Sequence, residues 1–253
     1  MSADRQARAE RLGPYLEVQL RLARRMSELT GAPLGDAAFR FTNFHRRLGF
    51  GIPDEAPSAE WNAYADGLDV RNDLADQVAL TQAAFVAGRD EVLPLPGQMG
   101  FGCFAYDPPG PDGVVRIHFH NRDTDEVGGP LSAAKTSRRR AELAAMIRHI
   151  LEEDPGARAI RGKSWLYNLE AYRRLFPPDY GASRAVAAGP LRLQGTSSWG
   201  QLIDSREAVR TEIRDALLAS LGDLDPQAPW TAFPLRVLTT EASIESFAAF
   251  YRL

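Results

Sequence analysis

The amino-acid sequence predicts an α/β (α+β) protein: a mixed sheet with helices on both faces and a mostly helical N-terminal portion. Three observations carry this. Residues 114–121, VVRIHFHN, alternate apolar and polar as a half-buried strand does. A glycine turn, a helix of period 3.6 and an apolar run at 157–167 follow it, which is the order of a βαβ unit with parallel strands. Residues 1–90, by contrast, carry apolar stripes at helical spacing through most of their length.

Residues 1–30 read as one helix. Tyr15, Val18, Leu22, Met26 and Leu29 fall on one stripe, and Gly31-Ala32-Pro33 ends it. In AFRFTNF, Phe39 and Phe41 alternate with polar residues, which predicts a short strand. His45 stands alone among basic residues before the glycine-rich turn at 49–53. Ser58 is placed to cap a helix carrying Trp61 and Tyr64, and Leu74, Val78, Thr81 and Phe85 stripe a further helix that stops at Gly88. VLPLP at 92–96 leads onward.

The centre is a hairpin followed by the βαβ unit. Met99 to Tyr106 is its first arm, Asp107 to Gly113 its loop, and the histidine strand its second arm. On that strand Val115, Ile117 and Phe119 share the apolar face, while Arg116, His118 and His120 share the other. Gly128-Gly129-Pro130 then turns the chain into a helix opening near Ser132. Leu143, Ile147, Ile150 and Leu151 line its apolar side, Arg138, Arg139 and Arg140 its wetter side, and Asp154-Pro155-Gly156 its end. The strand at 157–167 buries Ala159, Ile160, Trp165 and Leu166, and a short helix opens after Asn168 and Glu170. Beyond Pro177-Pro178 the pattern predicts strands near Leu191 to Leu193 and Trp199 to Ile203. A helix over 206–221, with Val209, Ile213, Ala216, Leu217 and Leu221 inside, comes next. A strand at Leu235 to Thr239 and a last helix from Ser243 to Tyr251 complete the chain. The division is 1–90, mostly helical, and 91–253, mixed α/β, read as one continuous domain.

Composition narrows the function classes. With 253 residues, 44% of them hydrophobic, the chain can pack a substantial core. A net charge of −3 argues against a nucleic-acid binder, and paired arginines read as solvated faces. The single cysteine, Cys103, rules out an intrachain disulfide framework and a thiolate zinc site and favours a reducing compartment. No apolar run approaches ~20 residues, so the expectation is a cytoplasmic protein acting on a small molecule, with no membrane partner; the oligomeric state is not legible.

Three short motifs bear on chemistry. Gly162-Lys163-Ser164 is not a phosphate-binding loop, because the leading glycine is displaced and the segment reads as strand. Ser132-Ala133-Ala134-Lys135 matches the S-x-x-K of the penicillin-binding serine enzymes without their companion elements. His118 and His120, at i and i+2 on one strand face, have the spacing of a metal pair, with Asp123, Asp125 or Glu126 as a third ligand. The bland reading, histidines satisfying hydrogen bonds on a hairpin's polar face, is favoured over metal.

The run SWLYNLEAYRRLFP, with Asn168 after an apolar strand and Ala171 three residues on, resembles the strand-to-helix segment of the GNAT-type acyltransferase superfamily. The preceding hairpin, glycine turn and long helix fit the same order, over residues 98–180. The resemblance implies that Gly128, Gly129 and Ser132 cradle the pyrophosphate of acyl-coenzyme A, a co-substrate, at a helix start. It further implies that Arg138, Arg139 or Arg140 meets the 3′-phosphate, that Asn168 borders the cofactor, and that His118 or His120 takes the proton of an amine acceptor. The chain departs from the family at Asp125, which takes the place of an Arg or Gln, and at Leu175, where a tyrosine acid is expected. Tyr172 is the tyrosine nearest that place. A metal-dependent enzyme built on His118 and His120, and a non-catalytic binding protein on the same fold, remain as alternatives.

Overall fold

The computed structural model describes residues 2–51, 57–89, 97–123, 125 and 128–253. Ile52, Pro53, the segment 92–96 and Glu126 lie outside the described residues. The chain forms two compact units, Met1–Glu91 with Gly189–Pro234, and Val92–Ala188 with Leu235–Leu253. The segment 189–234 therefore belongs with the N-terminal helices, not with the sheet it interrupts. No helix among the described residues is long and apolar enough to cross a membrane.

In the helical unit, α1 (Ser2–Thr30) buries Leu12, Tyr15, Leu16, Val18, Leu22 and Met26. Leu29, at the end of the predicted stripe, is 37% exposed. Among the described residues it is followed by α2 (Leu34–Phe41), α3 (Phe44–Arg47), α4 (Ala59–Asp69) and α5 (Leu74–Ala87). The expected strand at AFRFTNF is thus helix. Its two-residue alternation loses to tertiary packing: Ala37 and Ala38 are fully buried, and a Cβ on Gly35 would come within 2.6 Å of the Ala65 side chain, so α2 and α4 pack almost backbone to backbone. Ser58 caps α4 by accepting from the Trp61 N–H at 3.2 Å, as expected. His45 is buried among Phe39, Phe50 and Trp61, with Nδ1 3.0 Å from the Gly51 carbonyl, the bond of a structural histidine.

In the second unit the run 99–106 divides into β1 (Met99–Phe101) and β2 (Phe104–Asp107), turned at Gly102 with φ +60°. The histidine strand is β3 (Val114–Phe119), antiparallel to β2. After a single 3-10 turn comes α6 (Thr136–Glu153), then β4 (Ala159–Ser164), parallel to β3. β4 is shorter than expected because the Ser164 hydroxyl accepts from Leu166 N–H and starts a 3-10 turn over Trp165–Asn168. Two short helices, α7 (Glu170–Arg173) and α8 (Pro178–Ala182), lead to β5 (Ala185–Val186).

The expected strands at 191–193 and 199–203 do not form. Residues 196–199 are α9 (Thr196–Trp199), continued by a 3-10 turn, and Leu193, Trp199 and Leu202 are buried in the core of the helical unit. The helix expected from 206 begins later, as α10 (Thr211–Ser220), because Asp204 Oδ1 accepts from the Arg206 and Ala208 N–H groups and holds a turn there. Leu217 is buried in it, whereas Ala216 is exposed. The last strand is β6 (Leu238–Ser243), three residues later than expected, and α11 (Ile244–Tyr251) follows with Ser243 as its cap.

The sheet order is β1-β2-β3-β4-β6-β5. Val115, Ile117, Phe104, Tyr106 and Ile160 pack one face against Leu143, Met146, Ile147 and Ile150 of α6 and against Ile244 and Phe247 of α11. Leu151, expected on that side of α6, is 42% exposed.

Candidate functional site

The parallel pair opens at its carboxyl end. The β3–β4 ladder stops at Ile117↔Gly162. Beyond it β3 keeps only its outer neighbour, through His118↔Ala105 and Phe119↔Phe104, and β4 keeps only β6, through Lys163↔Thr239 and Ser164↔Leu238. The two strands part there, at the end of the sheet where open α/β folds bind ligands. On the apolar face, a Cβ at Gly162 would collide with the Tyr167 and Tyr180 hydroxyls, which are hydrogen-bonded to each other at 2.7 Å.

The connection from β3 to α6 is held by buried charge. Lys135 Nζ donates to Asp123 Oδ1 at 2.9 Å and to the Gly128 carbonyl at 3.3 Å, and it also pairs with Asp125. Arg139 Nη2 reaches Asp123 Oδ2 at 2.9 Å and Glu142 Oε1 at 3.0 Å. Arg139 was expected on the wet side of its helix, yet its side chain is 1% exposed. Its neighbour Arg138, at 60%, holds the expected position. The cause of the difference is the carboxylate ring of Asp123 and Glu142, which draws the guanidinium inward and compensates its desolvation. Burial acts to raise the Asp123 carboxyl, but the hydrogen bond and charge of Lys135 outweigh it and hold it low. Burial acts to lower Lys135, and Asp125 and Asp123 overcome that and hold it above its ordinary value. A lysine so engaged remains protonated, so the Ser132-x-x-Lys135 motif lacks the neutral amine that would activate a serine.

Gly128 has φ +73°, and its Cβ position is 3.2 Å from Ser132 Cβ, so the turn folds back on Ser132, which opens a 3-10 turn; α6 itself starts at Thr136 and not near Ser132 as expected. Ser132 Oγ and the Nε and Nη1 atoms of Arg139 are buried and have no hydrogen-bond partner among the described residues. The turn thus brings together Gly128, Ser132, Lys135 and Arg139.

His118 and His120 do share a face, their rings near-parallel at 16° with centroids 6.3 Å apart. His118 Nε2 lies 2.7 Å from Asp107 Oδ2 and His120 Nε2 lies 3.4 Å from Gln98 Oε1. Among the described residues no group of three or more His, Cys, Asp or Glu side chains is placed to hold a metal ion. Tyr172 is on the other face of β3: its ring packs on Phe119, Tyr167 and Phe176, and it is 2% exposed, with burial raising its hydroxyl well above the ordinary tyrosine value. Asn168 Nδ2 donates to the Trp165 and Arg236 carbonyls, tying the strand-to-helix joint to the chain before β6.

No protein-family model, curated protein or solved structure matches this chain. What the fold and site define is a mixed α/β protein with a parallel pair whose ladder ends at Ile117 and Gly162 and, in the connection after β3, a charge-buttressed turn. Two residues of this region escaped sequence reasoning. Glu142, three residues after Arg139, was legible as a helical ion pair. Asp107 has the sequence signature of a loop residue, and folding the hairpin places it beside His118.

Proposed function

We propose that the α/β unit is an acyltransferase that moves an acyl group from acyl-coenzyme A, a co-substrate, to a small-molecule amine. The parting of β3 from β4 beyond Ile117 and Gly162 is the observation that carries the reading. Coenzyme A joins its pyrophosphate to its thiol by an extended arm bearing two amides, roughly the hydrogen-bonding pattern of a short strand. Residues 118–119 and 163–164 make no ladder bonds to one another, so such an arm can use their facing edges. The pyrophosphate then falls at the Gly128–Ser132 turn, near which the Nε and Nη1 atoms of Arg139 have no hydrogen-bond partner among the described residues and favour an anion. Asp123, Asp125 and Glu142 do not repel it strongly, because Lys135, Arg138 and Arg139 match them charge for charge.

In the reaction the amine nitrogen attacks the thioester carbonyl, a C–N bond forms, the C–S bond breaks and the thiolate leaves. His118 and His120 lie on the polar face at the end of β3, and one of them accepts the proton of the amine. Tyr172 packs on Phe119 on the apolar face, and burial raises its hydroxyl well above the ordinary tyrosine value, so it serves there as a hydrogen-bond donor and not as the acid that protonates the thiolate.

Titration calorimetry with acetyl-coenzyme A tests the reading. Wild type is expected to bind, Gly129→Val to abolish binding, and Arg139→Gln to weaken it by about tenfold. Asp125→Gln is expected to tighten it, by removing a negative charge beside the phosphates. No heat from wild type with acetyl- or longer acyl-coenzyme A would leave the unit as a non-catalytic binding protein.

A further inference from the structure

We propose that Asp107 is the positioning residue of the site, fixing His118 as the general base through a carboxylate–imidazole dyad; this rests on the acyltransferase reading. The geometry is specific. His118 is the first residue of β3 past its last pairing with β4, so its backbone stands at the point where the ladder ends, and its ring reaches toward β2. Asp107 ends β2 and pairs across the ladder with Arg116, two residues before His118 and on the same face. Its Oδ2 is 2.7 Å from His118 Nε2, and its Oδ1 accepts from Gln98 Nε2 at 3.1 Å. The carboxylate is therefore held from two sides. An ionised carboxylate only accepts, so Nε2 carries the proton and the lone pair is on Nδ1.

The surroundings favour the same assignment. The groups on this face of the neighbouring elements are Gln98 before β1, Asp107 on β2, Arg116 and the stacked His120 on either side of His118, and Arg161 and Lys163 on β4. Arg161 is spent on Glu241, at 2.5 Å. Arg116 and Lys163 carry positive charge on this face, and Asp107 is the carboxylate hydrogen-bonded to the ring. An acceptor entering as an ammonium ion gives one proton to Nδ1, and its nitrogen then attacks the thioester. The tetrahedral intermediate loses a second proton to solvent as the thiolate departs. His118 returns its proton either to the thiolate or to water, which restores the starting state.

The test uses the full-length protein, with nitrogen-15 NMR of the histidine rings and steady-state kinetics on acetyl-coenzyme A with a panel of primary amines. Wild type is expected to show His118 protonated at Nε2. Asp107→Asn is expected to lower kcat about tenfold or more with little change in the KM for acetyl-coenzyme A, and to move the acid limb of the kcat profile to lower pH. Asp107→Glu should recover part of the rate. A His118 protonated at Nδ1 in wild type, or an Asp107→Asn variant with unchanged kcat and pH profile, overturns this inference alone. Wild type that transfers acyl groups to none of the amines overturns the acyltransferase reading and takes the proposal with it.

Discussion

Lys135 Nζ sits 2.9 Å from Asp123 Oδ1, and neither side chain is more than 5% exposed. The pair closes the connection between β3 and α6 from inside, so the turn that leads into α6 is built on a buried charge balance and not on an apolar plug. Removing one member leaves the others desolvated without compensation. Asp123→Asn is expected to cost about 3 kcal/mol, measured as a lower urea midpoint with unchanged slope. A loss below about 0.5 kcal/mol would mean that the cluster behaves like a surface ion pair.

The same cluster sets a pH dependence at both ends. The folded Asp123 carboxyl titrates below its ordinary 3.8, so its contribution is complete above that value and is lost as pH falls through the depressed one. The folded Lys135 amine titrates above its ordinary 10.5, so its contribution is complete below that value and is lost as pH rises through the raised one. Thermal midpoints should therefore be level between these limits and fall outside them, with Asp123→Asn showing a shallower acid-side loss. An equally steep acid limb in the variant would assign the loss to other carboxylates, such as Glu207, which is also held low.

Gly162 tests the aromatic side of the parting strands. A methyl group there would meet the Tyr167 and Tyr180 hydroxyls. Gly162→Ala is expected to cost about 1–3 kcal/mol by overpacking. Removing the oxygens with Tyr167→Phe and Tyr180→Phe in the same chain should restore part of it, a coupling that a double-mutant cycle reads directly. Strict additivity would show that the methyl is accommodated elsewhere.

In the helical unit, Glu207 holds a left-handed backbone, φ +63°, while its carboxylate binds Arg8 at 2.6 and 2.7 Å and Arg47 at 3.2 Å. The carboxylate joins α1, α3 and the loop before α10. Glu207→Gly should relieve the backbone strain but lose the clamp, and Glu207→Ala should lose the clamp and keep the strain. Alanine is therefore expected to be the less stable by about 1 kcal/mol, as calorimetric unfolding would show; equal stabilities would mean that the strain is negligible.

The sequence by itself determined those elements whose signal is local. The α1 stripe, the Ser58 cap and the βαβ order follow from periodicity and from short-range hydrogen bonds, which depend on residues a few positions apart. So did the shared face of His118 and His120, since strand alternation is a property of the backbone. Tertiary structure decided whatever depended on a distant partner. Residues 34–41 became helix because Gly35 lets α2 lie against Ala65; Leu193, Trp199 and Leu202 left the expected strands because the helical core offered them burial. Arg139 went inside because Asp123 and Glu142 wait there, and Asp107 met His118 only once β2 and β3 were in register. In each case the local preference is worth about 1 kcal/mol or less, while burying a large apolar side chain is worth about 1.5–3 kcal/mol and a satisfied buried charge avoids a larger penalty still, so the long-range term prevails.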